Sequence, residues 1–301
     1  MALVVAALGG NALLRRGQPM EVEVQRENIA VAVDALAELE RDHDLVVTHG
    51  NGPQVGLLAL QAEAYSGAPA PPLDVLGAES EGMIGYLLEQ GLHGRTRRPP
   101  AALLTTVRVD ADDPAFSAPS KPIGPVYDRA GAERLRDERG WAIAADGEYW
   151  RRVVASPEPR EIVELSTIGR LLAADTLVIC AGGGGIPVVA DGHGALHGVE
   201  AVIDKDLAAA LLADALDADI LLLLTDVEHV VRGYGSEDAQ PIGEIAADEL
   251  DASQFAAGSM RPKVMAAARF ASRPGRMAGI GALADAAAIA AGERGTRVIC
   301  G

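Results

Sequence analysis

Lysine is nearly missing from this chain. Of 26 basic residues, 23 are arginine and only three are lysine: Lys121, Lys205 and Lys263. Aromatic side chains make up 3%, too few for the stacking platforms on which single-stranded nucleic acids are held. The balance of 26 basic against 43 acidic residues, a formal charge of −17, repels nucleic-acid phosphate and anionic lipid alike. No apolar run approaches the roughly 20 residues of a bilayer span; 207–213 is among the longest. The apolar opening 2–8 has no basic segment before it and runs into Gly9-Gly10-Asn11, so it reads as a strand and not as a signal peptide. Two cysteines, Cys180 and Cys300, lie at the ends of apolar runs without metal-ligand spacing, and the six histidines form no H-E-x-x-H pair. No zinc site is indicated, and buried, reduced thiols suit a cytoplasmic protein.

What is present is an alternation of short apolar runs with amphipathic stretches. Runs at 3–8, 45–48, 103–109, 177–180, 220–225, 277–280 and 297–300 read as strands. Helical patterns occupy 22–41, 54–65, 73–90, 204–216, 262–272 and 283–291. Continuous apolar strands separated by helices predict a mostly parallel sheet covered on both faces. The segment of about 111–166 differs, being rich in Pro, Asp and Arg and holding both tryptophans, Trp141 and Trp150. Within it, 141–145, Asp146-Gly147 and 149–155 read as a hairpin closed on an Asp-Gly turn, the core of an inserted antiparallel subdomain. The expected plan is one domain over 1–301. Its first lobe, about 1–175, carries the insertion, and its second covers about 176–301.

Three strand-like runs end in glycine clusters: Gly9-Gly10-Asn11, His49-Gly50-Asn51-Gly52-Pro53-Gln54 and Ala181-Gly182-Gly183-Gly184-Gly185. Ligands of open parallel sheets bind beyond the carboxyl ends of the strands, and glycine there lets backbone N–H groups approach an anion. Neither G-x-x-x-x-G-K-[ST] nor a helix-opening G-x-G-x-x-G occurs, so a nucleotide would be held by another fold. The lysines fall in suggestive places. Lys205 follows Asp204, a helix N-cap, and stands in the first turn with Asp206, where a lysine opposes the helix dipole unless it faces an anion. Lys263 follows Pro262 at the start of another helix, and Lys121 lies on the insertion. A chain that writes arginine nearly everywhere has kept three compact ammonium groups where a phosphoryl group could be caged.

These residues carry a resemblance. Ala7-Leu8-Gly9-Gly10-Asn11-Ala12-Leu13, Thr48-His49-Gly50-Asn51-Gly52-Pro53-Gln54-Val55-Gly56, Leu73-Asp74-Val75-Leu76-Gly77-Ala78-Glu79-Ser80 and Lys121-Pro122-Ile123-Gly124-Pro125 resemble the carbamate kinases of the amino-acid-kinase family. So do the stretches 181–187, 198–209 and 258–263. The matches run in order along nearly the whole chain. The resemblance implies an α/β fold, a three-layer αβα sandwich around a mainly parallel sheet of about eight strands, assembled as a homodimer. It implies ATP + carbamate ⇌ ADP + carbamoyl phosphate with Mg²⁺, commonly run toward ATP in arginine or purine catabolism. By resemblance, Gly9, Gly10, Asn11, Gly50 and Asn51 line the carbamate and phosphoryl site through main-chain and amide donors. Lys121, Lys205 and Lys263 neutralise the phosphates, and Asp206 orients the lysines. Thr225, Asp226, Val227, Tyr234, Met260 and Lys263 lie along the nucleotide. No protein ligand to the metal is implied, since Mg²⁺ is held by the nucleotide phosphates.

Many amino-acid kinases carry a lysine just before the first Gly-Gly. Here that place is Leu8, as in carbamate kinases, where the lysine matched by Lys121 supplies the charge. Carbamate is already an anionic nucleophile, so no general base is needed, and His49 reads as a hydrogen bonder that shapes its loop. Two positions depart from the family pattern: Glu228-His229 replaces Asp-Gly after Thr-Asp-Val, and Arg261 replaces a glycine between Met260 and Pro262. Arg261 is expected to add positive charge near the nucleotide phosphates. Two other readings share the fold: a kinase of another small acid, against which Leu8 and Lys121 argue, and a non-catalytic nucleotide-binding sensor, against which the complete set of lysines argues.

Overall fold

The computed structural model describes all residues except 11–13, 15–17, 20, 53, 66, 68 and 256–259. Strand β1 (Leu3–Leu8) leads through helix α1 (Val22–Glu40) to β2 (Asp44–His49). Helices α2 (Gln54–Ala64) and α3 (Leu73–Leu92) precede β3 (Pro100–Ala102) and β4 (Thr106–Arg108). A small unit follows, built from β5 (Lys121–Tyr127), α4 (Arg129–Arg139), β6 (Ala142–Asp146) and β7 (Tyr149–Val154). Next come β8 (Glu161–Ile162), α5 (Leu165–Ala173), β9 (Leu177–Ile179), β10 (Ile186–Ala190) and β11 (Leu196–Gly198). The chain ends with α6 (Lys205–Ala215), β12 (Ile220–Thr225), β13 (Val230–Arg232), β14 (Gln240–Ile242), β15 (Glu244–Ala246), α7 (Met260–Ala271), β16 (Met277–Ala282), α8 (Ala286–Ala290) and β17 (Thr296–Ile299).

Eight strands form the main sheet in the order β15-β17-β16-β12-β1-β2-β9-β3. Six of them, β3 to β16 in that row, run parallel; β17 is antiparallel to β16 and carries β15 parallel to itself. Alternation along the central strands sorts the core into two layers. Val4, Ala6 and Leu8 of β1, with Leu222 and Leu224 of β12, pack against α1, α3 and α8. Val5 and Ala7, with Leu221 and Leu223, pack against α5, α6 and α7. Each fully buried Val or Leu contributes about 1.5–3 kcal/mol, and a sheet buried on both faces explains why its strands are continuously apolar. The result is the expected αβα sandwich around a mainly parallel sheet.

The expected strand at 103–109 is divided between two sheets. β3 ends the main sheet, while β4 joins a four-stranded sheet in the order β11-β10-β4-β8. Thr105 makes the break. Its hydroxyl donates to the Leu103 carbonyl at 3.0 Å and accepts from the Ala181 N–H at 2.9 Å, and its own N–H reaches the Glu81 carboxylate at 3.3 Å. Those bonds replace ladder bonds and turn the chain out of the main sheet.

Helices α6 and α7 lie side by side, and both present buried alanines: Ala208, Ala209, Ala210 and Ala213 on one, Ala266, Ala267 and Ala271 on the other. Small side chains let the axes approach closely. The first turns of the two helices, which carry Lys205 and Lys263, are thereby brought together.

The three-stranded sheet β5-β7-β6 stands apart from both larger sheets, and its hairpin is where the sequence predicts it, though Asp146 pairs with Tyr149 and the two-residue turn is Gly147-Glu148, one residue beyond the expected Asp146-Gly147. The guanidinium groups of Arg139 and Arg152 both stack on Trp141, and that of Arg129 covers Trp150. The unit docks on the body where two glycines meet. A methyl group at Gly56 of α2 would fall 2.0 Å from the Gly124 Cα of β5. Since both partners there are backbone, Gly56→Ala must push the unit away. We expect a loss of about 1–3 kcal/mol in stability and faster amide hydrogen exchange confined to 121–154, while exchange in β1, β2 and β12 stays at its wild-type rate.

Candidate active site

The three lysines of the chain converge on two aspartates of one helix start. Asp204 is the N-cap of α6, its Oδ1 accepting from the Asp206 N–H at 2.9 Å and the Leu207 N–H at 3.3 Å. Its other oxygen, Oδ2, takes the Lys121 Nζ at 2.5 Å, which ties the small unit to the body. Asp206, in the first turn, divides its carboxylate between two ammonium groups: Oδ1 accepts from Lys205 Nζ at 2.5 Å and Oδ2 from Lys263 Nζ at 2.9 Å. Three ammonium groups and two carboxylates leave one net positive charge at this spot, on a chain of net charge −17.

Burial sets the protonation of this cluster. Burial alone would raise the Asp206 carboxyl, but the ammonium groups of Lys205 and Lys263 hold it far below the usual carboxylate range. Burial likewise works against the charge of Lys263, yet Asp206 overrides it and the net shift is upward. Lys205 goes the other way: burial, aided by the neighbouring Lys263, brings it down to about 8 despite Asp206. Of the two lysines that share Asp206, Lys205 is the one to lose its proton first as the pH rises.

Glycine-bearing loops at the carboxyl ends of β1, β2 and β9 surround these groups. A methyl at Gly50 would stand 3.2 Å from the Lys205 Cδ and 3.3 Å from the Gly10 nitrogen, and one at Gly10 would stand 3.3 Å from the Gly52 Cα. The N–H of Gly9 bonds the Leu224 carbonyl at 2.9 Å and that of Gly50 the Leu8 carbonyl at 3.1 Å. Both are therefore spent in the sheet ladder. These two glycines bring backbone close to the site rather than offering it donors. Gly183 adopts φ +68° with the Asn51 side chain where its Cβ would be, 1.7 Å away, so only glycine fits. The predicted residue Asn11 lies outside the described residues.

Behind the Gly182–Gly184 turn sits a carboxyl that sequence reasoning missed. Glu81 of α3 accepts from the Gly182 N–H at 2.7 Å and from the Thr105 N–H at 3.3 Å. Burial pushes it up to about 8, against those two hydrogen bonds and with help from Glu164. Its signal in the sequence is an acid within the apolar stripe Leu73, Leu76, Ile84 and Leu88 of its helix. His49 lies against the same turn, and burial lowers it to about 4. Its neutral ring donates from Nδ1 to the Gly50 carbonyl at 3.1 Å, the loop-shaping bond expected of it. Cys180, also buried here, is pushed up by burial and then by Glu81.

The residues expected along the nucleotide are more spread out. Thr225 ends β12 beside Gly9, whose Cβ would be 3.7 Å from the Thr225 Cα, and its hydroxyl donates to Asp226 at 3.1 Å. Val227 follows, and Met260 opens α7 one turn before Lys263. Tyr234 is not brought to the cluster; it stands 87% exposed on the turn between β13 and β14. Arg261 departs from its expected place. Its Nε donates to the Phe255 carbonyl at 3.1 Å and its Nη2 to the Ser253 carbonyl at 3.4 Å, so the guanidinium braces the preceding turn instead of facing Lys263.

An open sheet whose strand ends carry glycine loops, with helix-borne lysines converging over them, can hold a phosphoryl group between two anions. The family model described as the amino acid kinase family matches residues 2–280. The chain belongs to the amino acid kinase family. Within that family it is 54% identical to the carbamate kinase of Rhizobium meliloti over 297 residues, covering 97% of this chain and 92% of that protein. It is 51% identical to the carbamate kinase of Haemophilus influenzae, covering 98% and 96%. Among solved structures, carbamate kinase from Giardia lamblia bound to citric acid superposes with a TM-score of 0.93 at 39% identity, over 100% of this chain and 99% of that one. As an amino acid kinase the chain is an enzyme that uses ATP or ADP. No helix among the described residues is long and apolar enough to cross a membrane.

The raised Glu81 links stability to pH. Between pH 6.5 and 8 the unfolded chain has an ionised glutamate while the folded one still holds the proton, so stability falls as pH rises, by up to about 1.4 kcal/mol per unit. His49 acts with the opposite sign, but only from about 4 to 6.5. Glu81→Gln should flatten the slope of the denaturation midpoint between pH 6.5 and 8, where His49 no longer contributes, and leave the limb below about pH 4.5 unchanged. An unaltered slope in the variant would assign that pH dependence to another group.

Proposed function

We propose that this amino acid kinase transfers a phosphoryl group reversibly between ATP and carbamate, giving ADP and carbamoyl phosphate. The observation that carries the reading is the bridging of Lys205 and Lys263 by Asp206 beside Gly10 and Gly50, with Lys121 delivered on a separate unit. The relatives of highest identity given above, matched over nearly their full length, are carbamate kinases, and one family structure from Giardia lamblia holds AMP-PNP.

Carbamate attacks with an anionic oxygen, so no group need remove a proton. The barrier is the approach of two anions and the charge spread over the phosphoryl oxygens in transit. Lys205 and Lys263 meet that charge from helix starts whose N–H groups add a positive end. Lys121 meets it from the carbamate side. Asp206 fixes both partner lysines before substrate arrives, so little reorganisation is needed during transfer. Gly9, Gly10, Gly50 and Asn51 border the acceptor side, and Thr225, Asp226, Val227, Tyr234 and Met260 the nucleotide side. The oxygens of Asp204 and Asp206 are already engaged by lysines and helix N–H groups. A Mg²⁺ ion therefore fits here as one carried by the nucleotide phosphates, where it would neutralise β- and γ-oxygens. The Lys121–Asp204 contact supports reading the 121–154 unit, the core of the inserted segment of about 111–166, as a lid that would deliver charge on closing. Edge strand β3, with Tyr86 and Leu104 exposed beside it, supports assembly as a homodimer. Transfer toward ATP in arginine or purine catabolism is the direction that suits the reading.

The direct test is ATP formation from carbamoyl phosphate and ADP with Mg²⁺; binding of ADP without turnover would replace this reading by that of a sensor. In the active enzyme kcat/KM should decline as the pH rises through about 8, as Lys205 loses its proton. Lys205→Arg should lower kcat by roughly a hundredfold or more, because a planar fork cannot share Asp206 as a compact ammonium does, and the alkaline decline should move upward with it.

Lys121→Ala should lower kcat by a similar factor while changing ADP affinity less than about threefold. Carbamoyl phosphate with nucleotide present should change the fluorescence of Trp141 and Trp150, and Lys121→Ala should blunt that change. Equal losses of turnover and ADP affinity would remove the lid from the carbamate side.

A further inference from the structure

Lysine ammonium groups and backbone N–H groups only donate hydrogen bonds. They hold the oxygens of any acyl phosphate equally well. A carbamoyl group differs from an acetyl group in bearing N–H₂ where the other bears CH₃, and an amine of that kind is recognised only by an acceptor. The lysines of the site cannot supply one.

Gln54, the first residue of α2, has what is missing. It is 2% exposed, and both its Oε1 and its Nε2 are buried without a hydrogen-bond partner among the described residues. An amide left unpaired in this way costs stability, and in a native structure such a group calls for an explanation, a role at a functional site being one. Its position suits that role. Gly52, at φ +53°, turns the loop so that the amide occupies the space a Cβ would fill, with Oε1 2.2 Å and Nε2 3.4 Å from that point. Gly52 in turn abuts Gly10, Gly10 abuts Gly50, and Gly50 abuts Lys205. The amide thus lies along the same wall as the phosphoryl-facing lysine. Asn51 offers a second buried oxygen, but its side chain is wedged against Gly183, in the space a Cβ there would fill.

We propose that Gln54 is the specificity-determining residue for the acyl group: its Oε1 accepts from the carbamoyl N–H₂ while its Nε2 donates to the carbamoyl carbonyl oxygen. A primary amide facing a carbamoyl group pairs donor with acceptor twice, a match that acetyl phosphate meets only once. This inference rests on the carbamate reading given above.

The experiment compares carbamoyl phosphate with acetyl phosphate as phosphoryl donors to ADP, in wild type and in Gln54→Met, which has similar length and no polar amide. Wild type must first form ATP from carbamoyl phosphate; if it does not, the carbamate reading fails and this inference with it. In an active wild type, Gln54→Met should lower the ratio of kcat/KM for carbamoyl phosphate over acetyl phosphate by roughly tenfold or more, because a site built to bond an N–H loses its discrimination when that bond goes. The KM for ADP should stay within about twofold, and the thermal midpoint should hold or rise, since the variant removes an unpaired amide. An unchanged ratio in the folded variant would overturn the inference, and so would a large fall in the midpoint, which would mark the amide as structural. A readout on the wild-type protein covers a variant that fails to fold. In the absence of ADP, saturating carbamoyl phosphate should shift the Gln54 side-chain N–H₂ resonances in ¹⁵N NMR and inorganic phosphate should not. Equal responses to both ligands would equally overturn the proposal.

Discussion

The site depends on one carboxylate. Asp206 is buried between two ammonium groups that would otherwise repel each other in a space with little water. Without it, two positive charges would remain uncompensated, and breaking such a buried pair typically costs about 3–5 kcal/mol. With it, charge can be stored at the strand ends before any substrate arrives. The arrangement is asymmetric: Lys263 is held firmly protonated while Lys205 sits near the edge of losing its proton. An incoming phosphate favours the charged form of both, so binding and protonation of Lys205 reinforce each other.

The surrounding fold serves that carboxylate in identifiable ways. Alanines on the facing sides of α6 and α7 bring the helix starts close enough for one aspartate to reach lysines on both. Asp204 caps α6 and so fixes where Asp206 points, and its second oxygen holds Lys121. Glu81, from the other face of the sheet, pins the Gly182–Gly184 turn by a backbone N–H. The loops are thus tied down from beneath while the lysines are tied from above.

Much of this was legible in the sequence, for physical reasons that also explain the rest. The strands were readable because burial on both faces makes them continuously apolar, and the Asp204 cap because Asp-Lys-Asp precedes an Ala/Leu helix. The lysines stood out because arginine had replaced lysine elsewhere. The split at Thr105 was not readable, since it is made by bonds to Glu81 and to Ala181, the latter 76 residues away. A positive charge two residues before Lys263 suggests a phosphate ligand, and that is all the sequence says of Arg261. Its actual partners are carbonyls of the turn at Ser253–Phe255, which local sequence does not announce. Glu81 and Gln54 escaped notice because a polar residue within an apolar helix stripe, or inside a motif already assigned, shows its meaning only once its burial is known.

Neutralisation and recognition are separate tasks, and this chain assigns them to different chemistry. A protein of net charge −17 lowers the concentration of small anions near its surface, so the affinity of the cleft must come from short-range groups with water excluded. Ammonium groups supply that affinity, but they do so for every phosphorylated acid. Discrimination among acids that differ by one amine needs a neutral group that can accept a hydrogen bond without repelling the anion beside it. A carboxylate at that place would oppose the substrate's charge, and a hydroxyl would offer fewer bonds. A buried amide meets both conditions, which is a reason for an unpaired Gln54 to persist at the start of α2, on the loop whose glycines lead to Lys205.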